Sequence, residues 1–355
     1  MTKRNGSLME IARRCSVSKS TVSRVLNDSK HGRFSVSTEV RDKIIKVARD
    51  LNYRPNIAAR NLTISKTKLV AVLGLNGFWS DRVGPIDEAA AALSRVLDAA
   101  GYEIYVQVIT PRHNPFYLPP LRVDGIVAVS PQKLEDLEAL ERSDIPYVCL
   151  DGVVGKRGSR VLPDDAEGTQ KALRHLVDLG HHRIAYLDNP SVTNLHLSVF
   201  VRRKAFAQYV KELKIEVPVL SDLPTLEPGA SWDIYYEPFL RSAVIEGKAT
   251  AILSFSHHGA LSLLRVAHDM GLEVPRDFSL ICFNNSTMLS TSIPSLSAID
   301  VPAVPLGTTA AEMLLHQMNS SNGLTPKTVK LEESLVIRES TARRIPLARA
   351  TAAAR

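Results

Sequence analysis

Apolar residues in the N-terminal part of the chain recur at helical spacing in three short segments, 8–14, 19–27 and 38–51. Within each segment they lie three or four positions apart, which is the spacing of one buried helix face. A serine precedes each segment and can cap it, because its hydroxyl accepts a hydrogen bond from a free N–H at a helix start. These serines are Ser7, Ser18 and Ser37. The pattern predicts an all-α helix-turn-helix segment.

The second of these segments has an outer face of short polar and cationic side chains without a carboxylate. The face consists of Lys19, Ser20, Ser23, Arg24 and Asn27. Phosphate oxygens and base edges accept hydrogen bonds from donors of this kind. The sequence therefore predicts that this helix faces nucleic acid.

From residue 69 onward, short apolar runs rich in β-branched residues alternate with amphipathic stretches. The runs cover residues 69–75, 102–109, 124–129, 145–150, 183–187, 250–255 and 279–283. The stretches of helical spacing cover residues 86–100, 168–179, 199–213 and 259–270. This alternation predicts an α/β core of two doubly wound subdomains, each a parallel sheet with helices on both faces. No GxGxxG or phosphate-loop pattern occurs, so a nucleotide-binding Rossmann fold has no support.

The positive charge of the chain is concentrated at its N-terminus. Residues 1–68 hold sixteen Lys/Arg and five Asp/Glu, a net of +11, so that residues 69–355 carry −4 of the total of +7. A basic module joined to a mildly acidic body is typical of a nucleic-acid binder with a separate domain. Charge alone is equally compatible with a solvated basic tail, and the helical pattern favours the binder.

Composition and cysteine usage indicate a cytoplasmic protein without membrane contact. The chain has 355 residues, of which 45% are apolar and 23% charged, as in soluble multidomain proteins. No apolar run approaches the ~20 residues that span a bilayer. The N-terminus has no signal-peptide core, and the three distant cysteines form no CxxC motif.

Several motifs, in order along nearly the whole chain, resemble the LacI/GalR family of bacterial repressors. MEIARRCSVSKSTVSRVLN at 9–27 and LNYRPNIAARNL at 51–62 are similar to the family's headpiece and hinge. RVDGIVAVSP at 122–131, GTQKALRHLVDLGHHRIAYL at 168–187 and VPRDFSLICFNN at 274–285 are similar to segments of its periplasmic-binding-protein-like core. PSLSAIDVP at 294–302 and LVIRESTAR at 335–343 continue the resemblance.

The resemblance implies a domain organisation and a function. Residues 1–54 would form the DNA-binding headpiece, 55–68 a hinge, 69–340 a two-subdomain effector-binding and dimerisation core, and 341–355 a disordered tail. The protein would be a homodimeric transcriptional repressor that reads a pseudo-palindromic operator in double-stranded DNA. A small-molecule effector, a sugar or a related metabolite, would bind between the core subdomains and control it.

Family positions also imply the residues that contact DNA. Lys19, Ser20 and Arg24 would read bases in the major groove, with Arg24 able to fork onto guanine. Phosphate contacts would come from Ser18, Thr21, Ser23 and Asn27. Hinge contacts would come from Asn56, Ala59 and Leu62, with Leu62 as the wedge that enters the minor groove.

The effector residues implied by the family lie mostly after core strands. They are Asn76, Trp79, Asp151, Arg202, Ser256 and Asn284, with Leu226 or Trp232 as an apolar platform. Arg202 is the strongest of these, because a guanidinium can grip a pair of hydroxyls or a carboxylate. Ser256-His257 replaces the family's usual Asn-Asp, and Asn284 replaces its usual Asp. The effector is therefore expected to be an unusual sugar, an anion, or absent.

Two further departures concern structure rather than binding. Ser16 occupies a turn where the family usually has glycine. Residues 110–120 contain four prolines where the family usually has a full helix. Proline at that density cannot continue a helix, so an extended loop is expected there.

The remaining motifs suggest no further chemistry. The pairs His181-His182 and His257-His258 are poor metal ligands because adjacent side chains point apart, so we expect no metal. Asp164-Asp165 after a proline is interpreted as a turn rather than a catalytic pair. No nucleophile motif such as GxSxG occurs, so no catalytic residue and no cofactor are expected. The alternative is a soluble sugar-binding protein or sugar-active enzyme without a DNA-binding role.

Overall fold

The computed structural model describes residues 7–26, 36–53, 66–75, 84–108, 116–188, 196–219, 233–320 and 325–344. The chain divides into two compact units, Met1–Thr67 and Lys68–Arg355. No helix in the described ranges is long and apolar enough to cross a membrane.

The described residues of the first unit form three helices around a small apolar core. They are α1 (Leu8–Cys15), α2 (Lys19–Leu26) and α3 (Thr38–Asp50). The three predicted serine caps are present: the hydroxyls of Ser7, Ser18 and Ser37 accept from N–H groups in the first turn of their helices. The buried apolar positions of the three helices meet in one cluster. Helix periodicity and capping therefore predicted this unit correctly.

The turn between α1 and α2 contains a residue in a left-handed conformation. Ser16 has φ 58° and ψ 41° and ends α1, with its N–H donating to the carbonyl of Arg13 at 3.3 Å. A left-handed residue suits glycine, because any side chain there brings Cβ close to the following carbonyl. Ser16 therefore adopts the glycine-like turn at an energetic cost.

The second unit contains two sheets. The first has strand order β10-β5-β4-β3-β1-β2, and every pairing in it is parallel. Its strands are β1 (Leu69–Leu75), β2 (Glu103–Val108), β3 (Gly125–Val129), β4 (Tyr147–Leu150), β5 (Ser159–Pro163) and β10 (Thr328–Leu331).

The second sheet has order β11-β9-β8-β7-β6 and is parallel except at one edge. Its strands are β6 (Ile184–Leu187), β7 (Ala251–Ser254), β8 (Ser279–Phe283), β9 (Ser297–Asp300) and β11 (Ser334–Val336). Strand β11 pairs antiparallel to β9. The predicted parallel subdomains are confirmed, with this antiparallel edge as an addition.

Helices cover both faces of each sheet, as the two apolar faces of every buried strand require. They are α4 (Pro85–Ala99), α5 (Glu138–Arg142), α6 (Asp165–Asp178), α7 (Leu197–Glu212), α8 (Asp233–Leu240), α9 (His257–Asp269), α10 (Met288–Thr291) and α11 (Ala303–Asn319). A short 3₁₀ turn, Leu134–Leu137, precedes α5, and a π-helical stretch, Arg241–Glu246, follows α8. Alternate residues of the strands belong to separate apolar clusters, which shows that each sheet is buried on both sides.

Three crossover segments connect the two sheets. The first crossover is Asp164, between β5 and α6. The second is residues 301–302, between β9 and α11. The third is residues 332–333, between β10 and β11. Helix α11 packs closely on α4 because Gly307 lies against the carbonyl of Ala89, where a Cβ would sit only 1.9 Å from that oxygen. The crossovers bring the carboxyl ends of both sets of parallel strands together. We call the space between these strand ends the crevice.

The C-terminal residues correct one expectation. Residues 341–344 are not part of a disordered tail but pack on the second sheet: the Ala342 N–H donates to Ser279 Oγ at 3.1 Å, and the Arg344 N–H donates to the Leu179 carbonyl at 2.9 Å. Residues 345–355 lie outside the described residues. Of the proline-rich segment, residues 116–120 are described and form no helix, and the rest lies outside.

Candidate functional site

Helix α2 turns a polar face outward because its other face is buried. Val22 is fully buried and Val25 nearly so, within the core of the first unit. Lys19, Ser20 and Arg24 are exposed on the opposite side. The helix contains no acidic residue, so cations and hydroxyls are the only charged or polar groups that it offers.

Three hydroxyls cluster at the N-terminus of α2. Ser18 Oγ accepts from the Thr21 N–H at 3.0 Å and lies 2.7 Å from Ser20 Oγ and 2.8 Å from Thr21 Oγ1. The N-terminal end of a helix carries a partial positive charge, which favours an anion. This end of α2 is therefore suited to a phosphate, and Arg24 lies one turn further along the helix.

The crevice contains the effector residues that the sequence singled out and that the structure describes. Asp151 directly follows β4, and Asn284 directly follows β8. Both have left-handed backbones, with φ 53° and φ 70°. Such conformations cost free energy and are often found at binding sites, since they aim a side chain that regular structure would not. Ligands of parallel α/β folds bind at this end of the strands.

Asp151 is buried and faces His196 at the start of α7. Nδ1 of His196 accepts from the Ser198 N–H at 3.3 Å, so the neutral ring carries its hydrogen on Nε2. Nε2 lies 3.4 Å from Asp151 Oδ2 and 3.4 Å from Ser130 Oγ. Burial raises the pKa of Asp151 above its usual range. Nε2 of His196 is thus the ring atom that faces this carboxyl.

Arg202 lies at the centre of the crevice and is almost fully buried, with 3% of its surface exposed. Its Nε donates to Asp165 Oδ1 at 2.5 Å, and its Nη1 donates to the Phe255 carbonyl at 2.9 Å. The guanidinium also lies over the ring of Phe283, 3.9 Å from its centroid. The implied effector contact at Arg202 stays a prediction, and most of the guanidinium is already held by neighbours in the chain.

Glu333, in the third crossover, is a second acidic neighbour of Arg202. Its side chain is fully buried, and its Oε1 lies 3.8 Å from Arg202 Nη2, too far for a hydrogen bond. Burial raises the pKa of Glu333 above its usual range. Lys171 of α6 donates to the Glu333 carbonyl at 2.6 Å. Arg202 therefore lies between two acidic side chains, Asp165 in the first turn of α6 and Glu333 in the third crossover.

A pocket of ≈ 240 Å³ opens on one side of the crevice, where α4, α9 and α11 begin. Its polar lining includes Glu88, His257, Asn284, Asn285 and Asp300. Burial raises the pKa of the Asp300 carboxyl. A hydrogen bond with Asn285 and the positive charge of Arg338 lower this pKa and so offset part of the rise. The pocket joins α4, which covers the first sheet, to the strand ends of the second sheet. A ligand in it would touch both subdomains.

Ser256, another implied effector residue, serves as the N-cap of α9. Its Oγ accepts from the Gly259 N–H at 3.2 Å, and its carbonyl accepts from Ser254 Oγ at 3.0 Å. The remaining implied positions lie outside the described residues. They are Asn27, Asn56, Ala59 and Leu62 for DNA, and Asn76, Trp79, Leu226 and Trp232 for the effector.

Sequence reasoning missed several residues of the crevice. Asp165 was interpreted as part of a turn, and the structure corrects this: it is the first residue of α6, 4% exposed, and paired with Arg202. His196 and Glu333 lie in no motif, and Asp300 lies in PSLSAIDVP, but that motif gave it no role. His257 was considered as a poor metal ligand and as a replacement for the family's usual Asp, but not as a ligand contact. No group of three candidate ligands for a metal occurs in the described part of the chain.

The chain matches two protein families. Residues 7–56, which include α1–α3, match the family described as bacterial regulatory proteins, lacI family. Residues 173–341 match the periplasmic binding protein-like domain.

Characterised relatives and solved structures extend the similarity to nearly the full length. The HTH-type transcriptional repressor PurR of Vibrio vulnificus (strain CMCP6) is 25% identical over 346 residues, covering 94% of this chain and 98% of the relative. Catabolite control protein A of Staphylococcus xylosus is 27% identical over 331 residues, covering 89% and 93%. A crystal structure of the lac repressor dimer bound to operator and the anti-inducer ONPF is 26% identical, covers 96% of this chain and 100% of that chain, and has a TM-score of 0.77.

Proposed function

The chain belongs to the LacI family of bacterial regulatory proteins, and we propose that it represses transcription by reading a pseudo-palindromic operator as a homodimer. It is a DNA-binding transcription regulator and not an enzyme. One observation carries the assignment of the DNA-reading surface: α2 exposes Lys19, Ser20 and Arg24 while burying Val22 and Val25.

Base and phosphate contacts are divided along α2 in this proposal. Lys19, Ser20 and Arg24 read base edges in the major groove, with Arg24 on guanine O6 and N7. Ser18, Thr21 and Ser23 hold phosphates, helped by the positive end of the helix. Asn27 adds a phosphate contact.

Two copies of the chain are needed for tight binding. A single headpiece buries only ~600–1,000 Å² on DNA, the low end for specific recognition. A homodimer joined through residues 69–340 places two copies of α2 on two half-sites. Asn56, Ala59 and Leu62 would then meet the minor groove between the half-sites, with Leu62 as the wedge. The operator-bound lac repressor dimer supports this arrangement.

The crevice holds a small-molecule effector in this proposal, and a sugar-like compound suits its polar lining. Asp151, Ser256 and Asn284 are the described candidates for contact, together with Asn76, Trp79, and Leu226 or Trp232. Arg202 contributes through its position beside Asp165 and Glu333. Effector binding changes the angle between the subdomains and so the spacing of the two hinges. A 100-fold effect on operator affinity requires ~2.7 kcal/mol of coupling.

A salt titration of the full chain on duplex DNA tests the central claim. Each phosphate contact releases counterions, so log K should fall with log [salt] at a slope of about −0.9 per contact. A flat dependence would contradict DNA binding by the basic unit. Sedimentation at micromolar concentration tests the dimer, and a monomer that binds one half-site tightly would contradict it.

A further inference from the structure

His257 lines the pocket and is left without hydrogen-bond partners. It is the first residue of α9 and only 2% exposed. Among the described residues, neither Nδ1 nor Nε2 has a hydrogen-bond partner. Buried polar atoms almost always have partners, and an exception calls for one that is missing. Because His257 is part of the pocket wall, a ligand in the pocket is positioned to supply that partner.

The charges of the pocket point to the kind of ligand. The lining contains two carboxylates, Glu88 and Asp300, and no lysine or arginine in the described part of the wall. His257 itself is held neutral because burial lowers its pKa to about 4. Arg338, which is not part of the wall, offsets some of the Asp300 charge. An anionic ligand would still meet two acidic groups here, whereas a cation would find its counter-ions.

The described part of the crevice also contains more buried acidic side chains than buried basic ones. Asp151, Asp165, Asp188 and Glu333 are all buried there. Arg202 pairs with Asp165, and Arg203 lies 3.6 Å from Asp188. His196 Nε2 lies 3.4 Å from Asp151 Oδ2, and Glu333 is 3.8 Å from the Arg202 that pairs with Asp165. Burial raises the pKa of Asp151 and Glu333, which favours their neutral forms, and a bound cation would stabilise the ionised forms instead.

The size of the pocket limits the ligand further. Its ≈ 240 Å³ lies below the ~300–1,000 Å³ of most small-molecule sites, so it fits one small ring rather than a disaccharide. Asn284 and Asn285 offer amide groups that both donate to and accept from hydroxyls.

We propose that this pocket selects an amine-bearing, hydroxylated ligand of one ring, with Asp300 and Glu88 pairing the ammonium group and His257 bonding a hydroxyl. This proposal rests on the crevice being the effector site. It makes His257 a specificity-determining residue, because a ring nitrogen at the pocket wall bonds a hydroxyl of the ligand. A carboxylated or phosphorylated compound of the same size is excluded by charge.

Calorimetry on the full chain with three hexose probes tests the selection. D-Glucosamine carries the amine, D-glucose lacks it, and D-glucuronate carries a carboxylate. Glucosamine should bind at least tenfold more tightly than glucose, and glucuronate should bind most weakly. Equal affinities, glucuronate as the tightest ligand, or no binding of glucosamine at millimolar concentration would each overturn the proposal.

Variants separate the amine contact from the hydroxyl contact. Asp300→Asn should reduce the preference for glucosamine over glucose severalfold. His257→Leu should weaken both probes about equally, and His257→Gln should recover part of the loss because an amide can donate and accept. Glu312→Gln is the matched control: it removes an exposed carboxylate from α11, nine residues or ~13 Å beyond Ala303 at the pocket. An unchanged preference in Asp300→Asn, with its melting temperature intact, would contradict the assignment.

Operator binding measured on the same samples keeps the two proposals apart. A chain that binds operator but shows no amine preference retains the proposed function and loses this inference. A chain that prefers glucosamine but binds no DNA loses the proposed function, and the pocket then belongs to a ligand-binding protein.

Discussion

Arg202 and Asp165, 37 residues apart, form an ion pair at 2.5 Å in the interior of the crevice. Both are almost fully buried. Asp165 begins α6 directly after the first crossover, and Arg202 lies in α7, so the pair connects two helices where the sheets meet. The Nη1 bond to the Phe255 carbonyl adds the end of β7. Arg202 is therefore a structural part of the crevice as well as an implied ligand contact.

Replacing Arg202 with alanine should destabilise the second unit by ~3–5 kcal/mol, because it leaves the Asp165 charge buried without a partner. Urea unfolding of the full chain measures this change. Arg203→Ala is the comparison: Arg203 is 42% exposed and 3.6 Å from Asp188, so its removal should cost less than that of the almost fully buried Arg202.

Equal losses in Arg202→Ala and Arg203→Ala would mean that the buried pair contributes no special stability. Asp165→Asn in the Arg202→Ala background should recover part of the loss by removing the unpaired charge. A direct contact between Arg202 and the effector would predict that Arg202→Ala abolishes the effector response and leaves operator binding unchanged. The buried pair means that the response of this variant must be judged against its stability.

The sequence predicted the elements whose residues are uniformly apolar or strictly periodic. Residues 279–283 form a buried apolar run, and β8 occupies those same positions. Strand β5 was missed because it contains Ser159, Arg160 and Pro163, which weaken an apolar signal. Strand β10 lies at a sheet edge and is partly exposed, so it has no continuous apolar run. It is recognised as a strand only by its pairing with β5.

The sequence identified those residues of the candidate site that directly follow a strand. Asp151 and Asn284 follow strands, and the carboxyl ends of parallel strands are where ligands bind. Asp165 and Glu333 could not be found this way, because their significance comes from Arg202, 37 and 131 residues away. The sequence marked His257 as a replacement for the family's usual Asp, but its burial without a hydrogen-bond partner among the described residues appears only once α9 and the pocket are assembled.

Ser16→Gly should stabilise the first unit by ~0.5–1 kcal/mol. Glycine removes the free-energy cost of the left-handed backbone. Part of this gain is offset because glycine also makes the unfolded chain more flexible. Amide hydrogen exchange in α1 and α2 of the full chain measures the gain. Ser16→Ala is the control and should give no gain, since alanine keeps the Cβ. Equal protection in the glycine and alanine variants would mean that the turn stores no strain.

Arg24→Ala should weaken binding to the cognate operator by ~1–3 kcal/mol and leave binding to random duplex DNA nearly unchanged. The reason is that a guanidinium on guanine discriminates bases, whereas phosphate contacts do not. Fluorescence anisotropy on both duplexes at fixed salt gives the comparison. Arg265→Ala, which removes an exposed cation from α9, should change neither affinity. Equal losses on both duplexes would place Arg24 on phosphate.

His257 should make the stability of the second unit sensitive to acid. Burial lowers its pKa to about 4, from an ordinary value near 6.5, so the unfolded chain binds the proton more readily. The neutral ring therefore adds stability that is fully present above about pH 6.5 and is lost as the pH falls towards 4. The loss attributable to this residue is roughly 1–3 kcal/mol.

His257→Gln cannot take up that proton, so its stability should fall less steeply than that of the original chain between pH 6.5 and 4. His175 and His181 also have pKa values lowered by burial, but they titrate in both proteins and cancel in the comparison. Urea unfolding at several pH values gives the two curves. Curves that stay parallel across this range would show that His257 is protonated as easily in the folded chain as in water, and its burial in the pocket wall would then be wrong.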